Sequence, residues 1–317
     1  MDITESRTGG RAERIWVVVV NWRQPDATLH CLASLEPAGA TLDEVVVVDN
    51  ESSGEVEGLV QARYPAVTVL SQSENLGFGT AANIGARYAL ARGATAVLLL
   101  NNDATLLPDA MHGLRASLAE SKGVGVFTAK VFLTQRPQHL WAVGGVFTGR
   151  RVVELGAGER DTAAYDDRAL DFVYGCAMVI RADVFRDVGG FDERYFLYYE
   201  DIDLCLRARE RGWGVGMVAS AHVLHEGSRS TRSEPVIKVY HHARSRALFF
   251  SRHLRASRLV FGASETAFIA RHILSHLLSG QFRNAAAYLR GTADGLRARR
   301  GDTTPTAGAL APNGGGG

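Results

Sequence analysis

Four short runs of aliphatic residues punctuate the first third of the chain: "IWVVVV" at 15–20, "VVVV" at 45–48, "VTVL" at 67–70 and "AVLLL" at 96–100. Each is apolar at successive positions instead of alternating. That is the pattern of a strand covered by helices on both faces of a sheet. Helical segments are expected between them at 26–35, 56–64 and 81–92, the last with Ile84, Tyr88 and Leu90 on its apolar side. The alternation of strand and helix predicts an α/β, doubly wound, mostly parallel sheet. All four runs stop at polar residues: Asn21-Trp22, Asp49-Asn50, Ser71 and Asn101-Asn102-Asp103. In a sheet of this kind the carboxyl ends of the strands border the ligand crevice, which puts Asp49 and Asp103 on one edge. Polar residues also follow strands simply because loops are polar, so either reading accounts for any one run.

Beyond Leu118 the pattern changes. "GVGVFTAKVFL" reads as one or two strands, and "HLWAVGGVFTGRRVVELGAG" as short β segments separated by turn glycines. "DFVYGCAMVIRADVF" reads as a strand feeding a short helix. A further helix is expected from about Glu200 to Gly212, followed by a short strand, "GVGMVA", and a loop carrying His222 and His225. These elements predict a second lobe packed on the first. The ends, 1–14 and 301–317, have the composition of disordered segments.

Charge sharpens the division. The 317 residues carry a formal net charge of only +1. Residues 236–300, however, hold 12 basic and 2 acidic side chains, whereas residues 1–235 hold 23 basic and 31 acidic. An acidic body therefore precedes a basic, helical C-terminal extension. The 46% apolar content suffices for one large core or two modest ones. Cys31, Cys176 and Cys205 are odd in number and lack metal-ligand spacing, which fits a reduced, cytoplasmic protein. No secretory leader is evident in "MDITESRTGGRAER". Within "RLVFGASETAFIARHILSHLLSGQFR" the longest stretch free of Arg, Lys, Asp and Glu is residues 272–282, short of the ~20 needed to span a bilayer. The Ala-, Arg- and Gly-rich composition points to a bacterial genome of high GC content.

Three elements carry candidate chemistry: Asn101-Asn102-Asp103, the acids Glu200, Asp201 and Asp203, and His225. Asp103 and His225 offer an oxygen and a nitrogen to a divalent cation. Glu200 and Asp201 open a helix, where the dipole alone favours acids. An acid near a bound sugar donor can also deprotonate an acceptor hydroxyl.

The segments "VVVVNW", "VVVVDNESSG", "ENLGFGTAANIGARYA", "LLLNNDATL", "YGCAMVIRADVFRDVGGFDERYFLYYEDIDLCLRARERGW" and "HVLHEGSRS" occur in an order that resembles inverting glycosyltransferases of family 2. Within that family the chain is similar to the rhamnosyltransferase-like branch, over roughly residues 15–254. The resemblance implies a GT-A fold, with a nucleotide-sugar-binding half at 15–118 and a metal-completing, acceptor-binding and catalytic half at 119–235. A basic helical extension follows at 236–300. Asn101-Asn102-Asp103 stands at the family's Asp-x-Asp motif, with Asn101 in place of the first acid and Asp103 left to hold Mg²⁺ or Mn²⁺ together with His225. Asn21, Asp49, Asn75, Gly77, Asn83 and Asn102 match the donor pocket. Asp201 matches the catalytic base, with Glu200 beside it. Trp141, Tyr174, Gly175 and Cys176 match the acceptor side.

The partners so implied are a nucleotide-diphosphate sugar, with dTDP-rhamnose favoured, and a glycan, lipid-linked or small-molecule acceptor. A UDP-hexose-dependent transferase and a non-catalytic nucleotide-sugar-binding protein are the alternatives. In the C-terminal extension Arg244 matches a usual arginine, while Ser245 stands where Asn is more typical. Arg255, Arg258, Arg271, Arg283 and Arg290 punctuate an amphipathic region. It faces either anionic lipid at the inner face of the plasma membrane or the acidic body of the protein itself. No nucleic-acid recognition motif is present.

Overall fold

The computed structural model describes residues 13–166, 168–227, 235–254 and 258–298, without the side chains of 235 and 258–264. The expected disordered ends lie outside the described residues, except for Glu13 and Arg14. So do the last residues of "HVLHEGSRS", Arg255 and the Arg258 side chain.

The N-terminal half alternates as the aliphatic runs predict. Strand β1 (Ile15–Asn21) leads to helix α1 (Pro25–Ala33), β2 (Val45–Asn50) to α2 (Glu55–Arg63), β3 (Thr68–Gln72) to α3 (Phe78–Ala91), and β4 (Ala96–Asn101) completes the set. The four strands lie in the order β3-β2-β1-β4, all parallel. Successive residues of β1 enter different cores. Val18 packs with Val46, Val48, Leu99 and the alanines of α3 on one face. Val17 and Val19 pack with Val45, Val47, Leu98, Leu100 and α1 on the other. Burial on both faces is why the runs are unbroken. At Gly85, a Cβ would lie 2.4 Å from Val18 Cγ1, so the glycine lets α3 seat directly on the sheet.

Short strand β5 (Ala104–Leu106) and helix α4 (Ala110–Glu120) follow. The sheet continues with β6 (Val124–Leu133) and β7 (Arg136–Ala142). A separate hairpin, β8 (Gly144–Phe147) with β9 (Val152–Leu155), precedes β10 (Ala177–Arg181), helix α5 (Ala182–Val188), helix α6 (Glu200–Glu210) and β11 (Gly214–His225). Among the described residues the sheet has nine strands, β3-β2-β1-β4-β10-β6-β11-β5, with β7 on β6. It is parallel up to β4 and mixed beyond, because β10 runs antiparallel to both neighbours. The two halves thus share one continuous sheet.

One expectation is corrected. The strand expected at "GVGMVA" does not end before His222, and His225 is not on a loop. After an irregularity between Val218 and His222, the chain re-enters the sheet, pairing His222–His225 with Lys130–Leu133 and Val223–His225 with Ala104–Leu106. His225 is therefore the last residue of a long strand.

Three further helices follow among the described residues: α7 (Pro235–His253), α8 (Arg258–Leu278) and α9 (Phe282–Ala298). Helix α9 lies tightly against α7. A Cβ at Gly291 or Gly295 would fall 2.3 or 2.1 Å from the carbonyls of Tyr240 and Arg244. Helix α7 in turn packs on the segment leading into α6. Arg244 donates to the Arg194 carbonyl at 2.6 Å and Ser245 to the Leu197 carbonyl at 2.7 Å, and His241 stacks on Phe196. The inner face of the basic extension is thus committed to the body of the protein.

Candidate active site

The polar residues that end the strands meet in a network along one sheet edge. Asn21 and Asp49 are register partners on β1 and β2. Both are buried, and the Asn21 amide donates to Asp49 Oδ1 at 2.7 Å. Asn21 Oδ1 accepts from Thr28 Oγ1 at 2.9 Å and from the Asn102 amide at 3.3 Å. Asn102 also donates to Thr28 at 3.2 Å. One residue beyond Asp49, the Asn50 amide donates to Asn75 Oδ1 at 2.9 Å, and Asn50 Oδ1 accepts the Leu76 N–H at 2.8 Å. Asn75 Oδ1 also accepts the N–H of Gly77 at 2.9 Å. Gly77 has φ +81°, and a Cβ there would lie 2.4 Å from the Phe196 carbonyl oxygen. Only glycine meets both conditions. The loop from Asn75 to Gly77 is thereby held against Asp49's strand.

Asn83 is placed differently. It is fully buried in α3, where its oxygen accepts the Phe191 N–H at 2.8 Å and its nitrogen donates to the Phe191 carbonyl at 2.9 Å. Its amide ties α3 to the segment before α6.

Asp103 and His225 lie side by side, Oδ1 to Nε2 at 3.0 Å. They come together because β11 pairs with β5, which immediately follows Asp103. Asn101 Nδ2 lies 3.2 Å from the same His225 nitrogen, while His225 Nδ1 is buried with no hydrogen-bond partner. Asn102 and Asp103 line a cleft of about 200 Å³ together with Asp26, Ala27, His30 and Glu226. Among the described residues, no cluster of three or more His, Cys, Asp or Glu side chains suits a metal ion. A closed, all-protein site is therefore not built here. The oxygen–nitrogen pair does fit a hard divalent cation of the kind held by one or two protein groups and completed by substrate phosphates and water.

The third group forms around the start of α6. Asp201 accepts the Gly175 N–H at 3.0 Å and the Ile202 N–H at 2.8 Å. Burial pushes its carboxyl above the usual range, opposed by those N–H bonds. Glu200 is more deeply buried. Its Oε2 has no partner, and burial followed by the Asp201 charge pushes it well upward. Next to Gly175, Cys176 accepts the Asn101 N–H on its carbonyl at 3.0 Å. That bond links the Asp201 side to the Asp103 side. Trp141 stands edge-on to both His225 (4.7 Å between centroids) and Tyr174 (5.3 Å). The Tyr174 hydroxyl donates to Glu154 of β9.

Asp203, two residues on, has no exposed surface and faces other partners. It accepts from His253 Nε2 and from Arg207 Nε, each at 2.7 Å, and Tyr195 OH lies at 3.4 Å. Burial works to raise its carboxyl, but the His253 bond and the charges of Arg207 and Arg252 outweigh it and hold it below the ordinary range. Arg207 also donates to the carbonyls of Val188 and Gly190. Asp203 is a structural hub joining α6, α5 and α7.

Immediately before α6, Tyr198 and Tyr199 both adopt left-handed φ, 69° and 67°. Such strain costs of order 1–3 kcal/mol per residue and persists only where the surroundings impose it. Here α7 does so: Tyr199 packs on Phe249 and His242, and Tyr198 on His242. The sequence shows none of this, since neither position carries the Gly or Asn that marks such a turn.

Comparison with known proteins follows the same lines. A family model described as "Glycosyltransferase like family 2" matches residues 12–277. The chain is 29% identical over 256 residues to an N-acetylglucosaminyl-diphospho-decaprenol L-rhamnosyltransferase of Mycobacterium tuberculosis, covering 74% of this chain and 83% of that protein. It is 24% identical over 272 residues to a low-salt glycan biosynthesis hexosyltransferase of Haloferax volcanii, covering 83% and 81%. Its fold is similar to that of a mannosyltransferase from Pyrobaculum calidifontis solved with GDP-Man and Mn²⁺, with a TM-score of 0.53 at 14% identity over 93% of this chain and 77% of that one.

Proposed function

The chain belongs to the glycosyltransferase-like family 2 and has the GT-A fold, and from that premise we propose that it transfers rhamnose from dTDP-rhamnose, with inversion, to a hydroxyl of a lipid-linked glycan acceptor. The observation that carries the proposal is the meeting of three groups on one sheet edge: Asn21–Asp49, Asp103–His225 and Asp201 seated on Gly175. The mycobacterial relative's name supports the sugar and the lipid-diphosphate class of acceptor. The hexosyltransferase relative supports a hexose as the competing donor sugar. A lipid-linked acceptor would bring the enzyme to the inner face of the plasma membrane.

In this mechanism Asp201 accepts the proton of the acceptor hydroxyl as its oxygen bonds to the anomeric carbon. The bond from that carbon to the diphosphate breaks on the opposite face, and a single inversion results. Two backbone N–H groups, from Gly175 and Ile202, hold the Asp201 carboxylate. Unlike Glu200, Asp201 is only half-buried and so can meet an incoming hydroxyl. Asp49 and the loop from Asn75 to Gly77 would receive the nucleoside, with Asn21 fixing the Asp49 carboxylate. Trp141 and Tyr174 would form the wall on which the acceptor sugar rests. Asp103 and His225 would hold Mg²⁺ or Mn²⁺, which when bound supplies positive charge to the departing diphosphate.

The test is thermal-shift binding of dTDP, UDP and GDP with and without Mn²⁺, followed by transfer assays with Asp201→Asn. The proposal expects Mn²⁺-dependent stabilisation favouring dTDP, lost in His225→Ala. It also expects Asp201→Asn to bind nucleotide normally while turnover falls by ~10²–10⁴, the usual worth of a general base. Preference for UDP would transfer the donor assignment to a hexose. Full binding without turnover in the wild type on any acceptor would make the protein a nucleotide-sugar-binding module.

A further inference from the structure

We infer that the outer face of the α8–α9 hairpin is a docking surface for an anionic phospholipid bilayer. Of the eight exposed large apolar side chains among the described residues, six lie on this hairpin: Leu274, Leu277, Leu278, Phe282, Leu289 and Leu296. Leu278 is 80% exposed and Phe282 67%, and they flank the turn that joins the two helices. Phe282, Leu289 and Leu296 recur every seven residues, which aligns them as one stripe along α9. Arg283, Arg290 and Arg297 each follow one residue later and form a parallel basic stripe, all exposed. Arg271 adds a further exposed cation on α8.

This face is not needed for packing. The opposite side of α9, with Ala285, Tyr288, Gly291 and Gly295, is the one buried against α7 and α8. Two acids accompany these helices. Asp294 is shared by Arg297 at 2.9 Å and Arg290 at 3.8 Å, and Glu265 is paired with Arg246. The outer face therefore stays net positive. An apolar stripe beside arginines on an exposed helical face is the pattern of an interfacial helix that buries its apolar side among acyl chains and sets its cations among anionic headgroups. No helix among the described residues is long and apolar enough to cross a membrane, so the association is peripheral. The inference is independent of which sugar is transferred.

The test uses the full chain in co-sedimentation with phosphatidylcholine vesicles, with and without phosphatidylglycerol. The expected result is binding to the anionic vesicles only, weakened by salt. It should fall roughly tenfold for each of Leu278→Ser and Phe282→Ser and roughly fivefold for each of Arg283→Gln and Arg290→Gln. Thermal midpoint and transfer to a water-soluble acceptor should be unchanged in the leucine and phenylalanine variants, which separates lipid docking from misfolding. Failure to bind anionic vesicles, or binding that none of these variants weakens, overturns the inference. So does a concentration-dependent dimer in sedimentation velocity that Leu278→Ser and Phe282→Ser dissociate, since the face would then belong to a second copy of the chain.

Discussion

Replacing Asp203 with asparagine keeps the side-chain shape and removes one buried negative charge. The carboxylate is fully buried and receives two short bonds from basic groups, His253 and Arg207, each at 2.7 Å. Hydrogen bonds involving charged groups contribute about 1.5–3 kcal/mol each. Breaking a buried ion pair by removing one partner costs about 3–5 kcal/mol, because the remaining charge is left without compensation. The two routes agree on a loss of about 3–5 kcal/mol, which corresponds to a fall in thermal midpoint of ~10 °C for a chain of this size. The pH dependence has a definite sign. The Asp203 carboxyl is held below its ordinary range in the folded state, so its contribution is complete above the unfolded value near 3.9 and is lost as pH falls through the lowered folded value. The gap between wild type and Asp203→Asn should be constant near neutrality and close only in strong acid. Thermal and urea unfolding of both proteins at pH 7 and in an acid series measures this. A loss below ~1 kcal/mol at neutral pH, or a gap that closes on the alkaline side, would refute the reasoning.

The remaining predictions concern the site and its surroundings. The kcat/KM profile should fall on the acid side with an apparent pKa above that of an ordinary aspartate. On the proposed mechanism Asp201 acts in its ionised form, and burial raises its carboxyl. Glu200→Gln should leave kcat within a few-fold of wild type and the acid limb in place, because burial and the neighbouring Asp201 charge already disfavour the ionised form of Glu200. A large downward shift of that limb would show that Glu200 is ionised beside Asp201. Gly77→Ala should cost at least 1–3 kcal/mol and weaken nucleotide binding, since it combines left-handed strain with a clash against the Phe196 backbone. Cys31, Cys176 and Cys205 are buried, and burial pushes the Cys205 thiol up to about 12. None should react with a thiol reagent until urea unfolds the protein.

What the sequence shows depends on how local the cause is. The runs at 15–20 and 45–48 are legible because burial on both faces of a parallel strand is written into consecutive residues, and the start of α6 is legible because acids gather at a helix N-terminus. The end of β11 is not legible. "ASAHVLH" reads as a polar loop, and the strand exists there because Lys130–Leu133 and Ala104–Leu106 supply ladders from more than 80 residues away. Distance also hides the Asp203 hub, whose partner His253 lies 50 residues on. Asn83 shows the converse limit. Its place in the motif suggests a pocket-lining residue, yet its amide is taken up by Phe191, a partner no spacing rule reveals.

The first turn of α6 shows how one helix start supports different chemistries. Glu200, Asp201 and Asp203 fall within four residues and share one helix dipole, which treats them nearly alike. What separates them is what each side chain meets. Glu200 is buried with one oxygen unpartnered, so its charged form is disfavoured. Asp203 is as deeply buried but accepts a His253 hydrogen bond and faces the guanidinium groups of Arg207 and Arg252, so its charged form is favoured. Asp201 lies between these limits, half-buried and held by two backbone N–H groups. A general base needs that intermediate state, since an acid kept neutral cannot accept a proton and one locked in ion pairs has little affinity for it. The strained Tyr198–Tyr199 turn and the docking of α7 set these three exposures together. The C-terminal extension therefore acts on the start of α6 through the conformation of this turn.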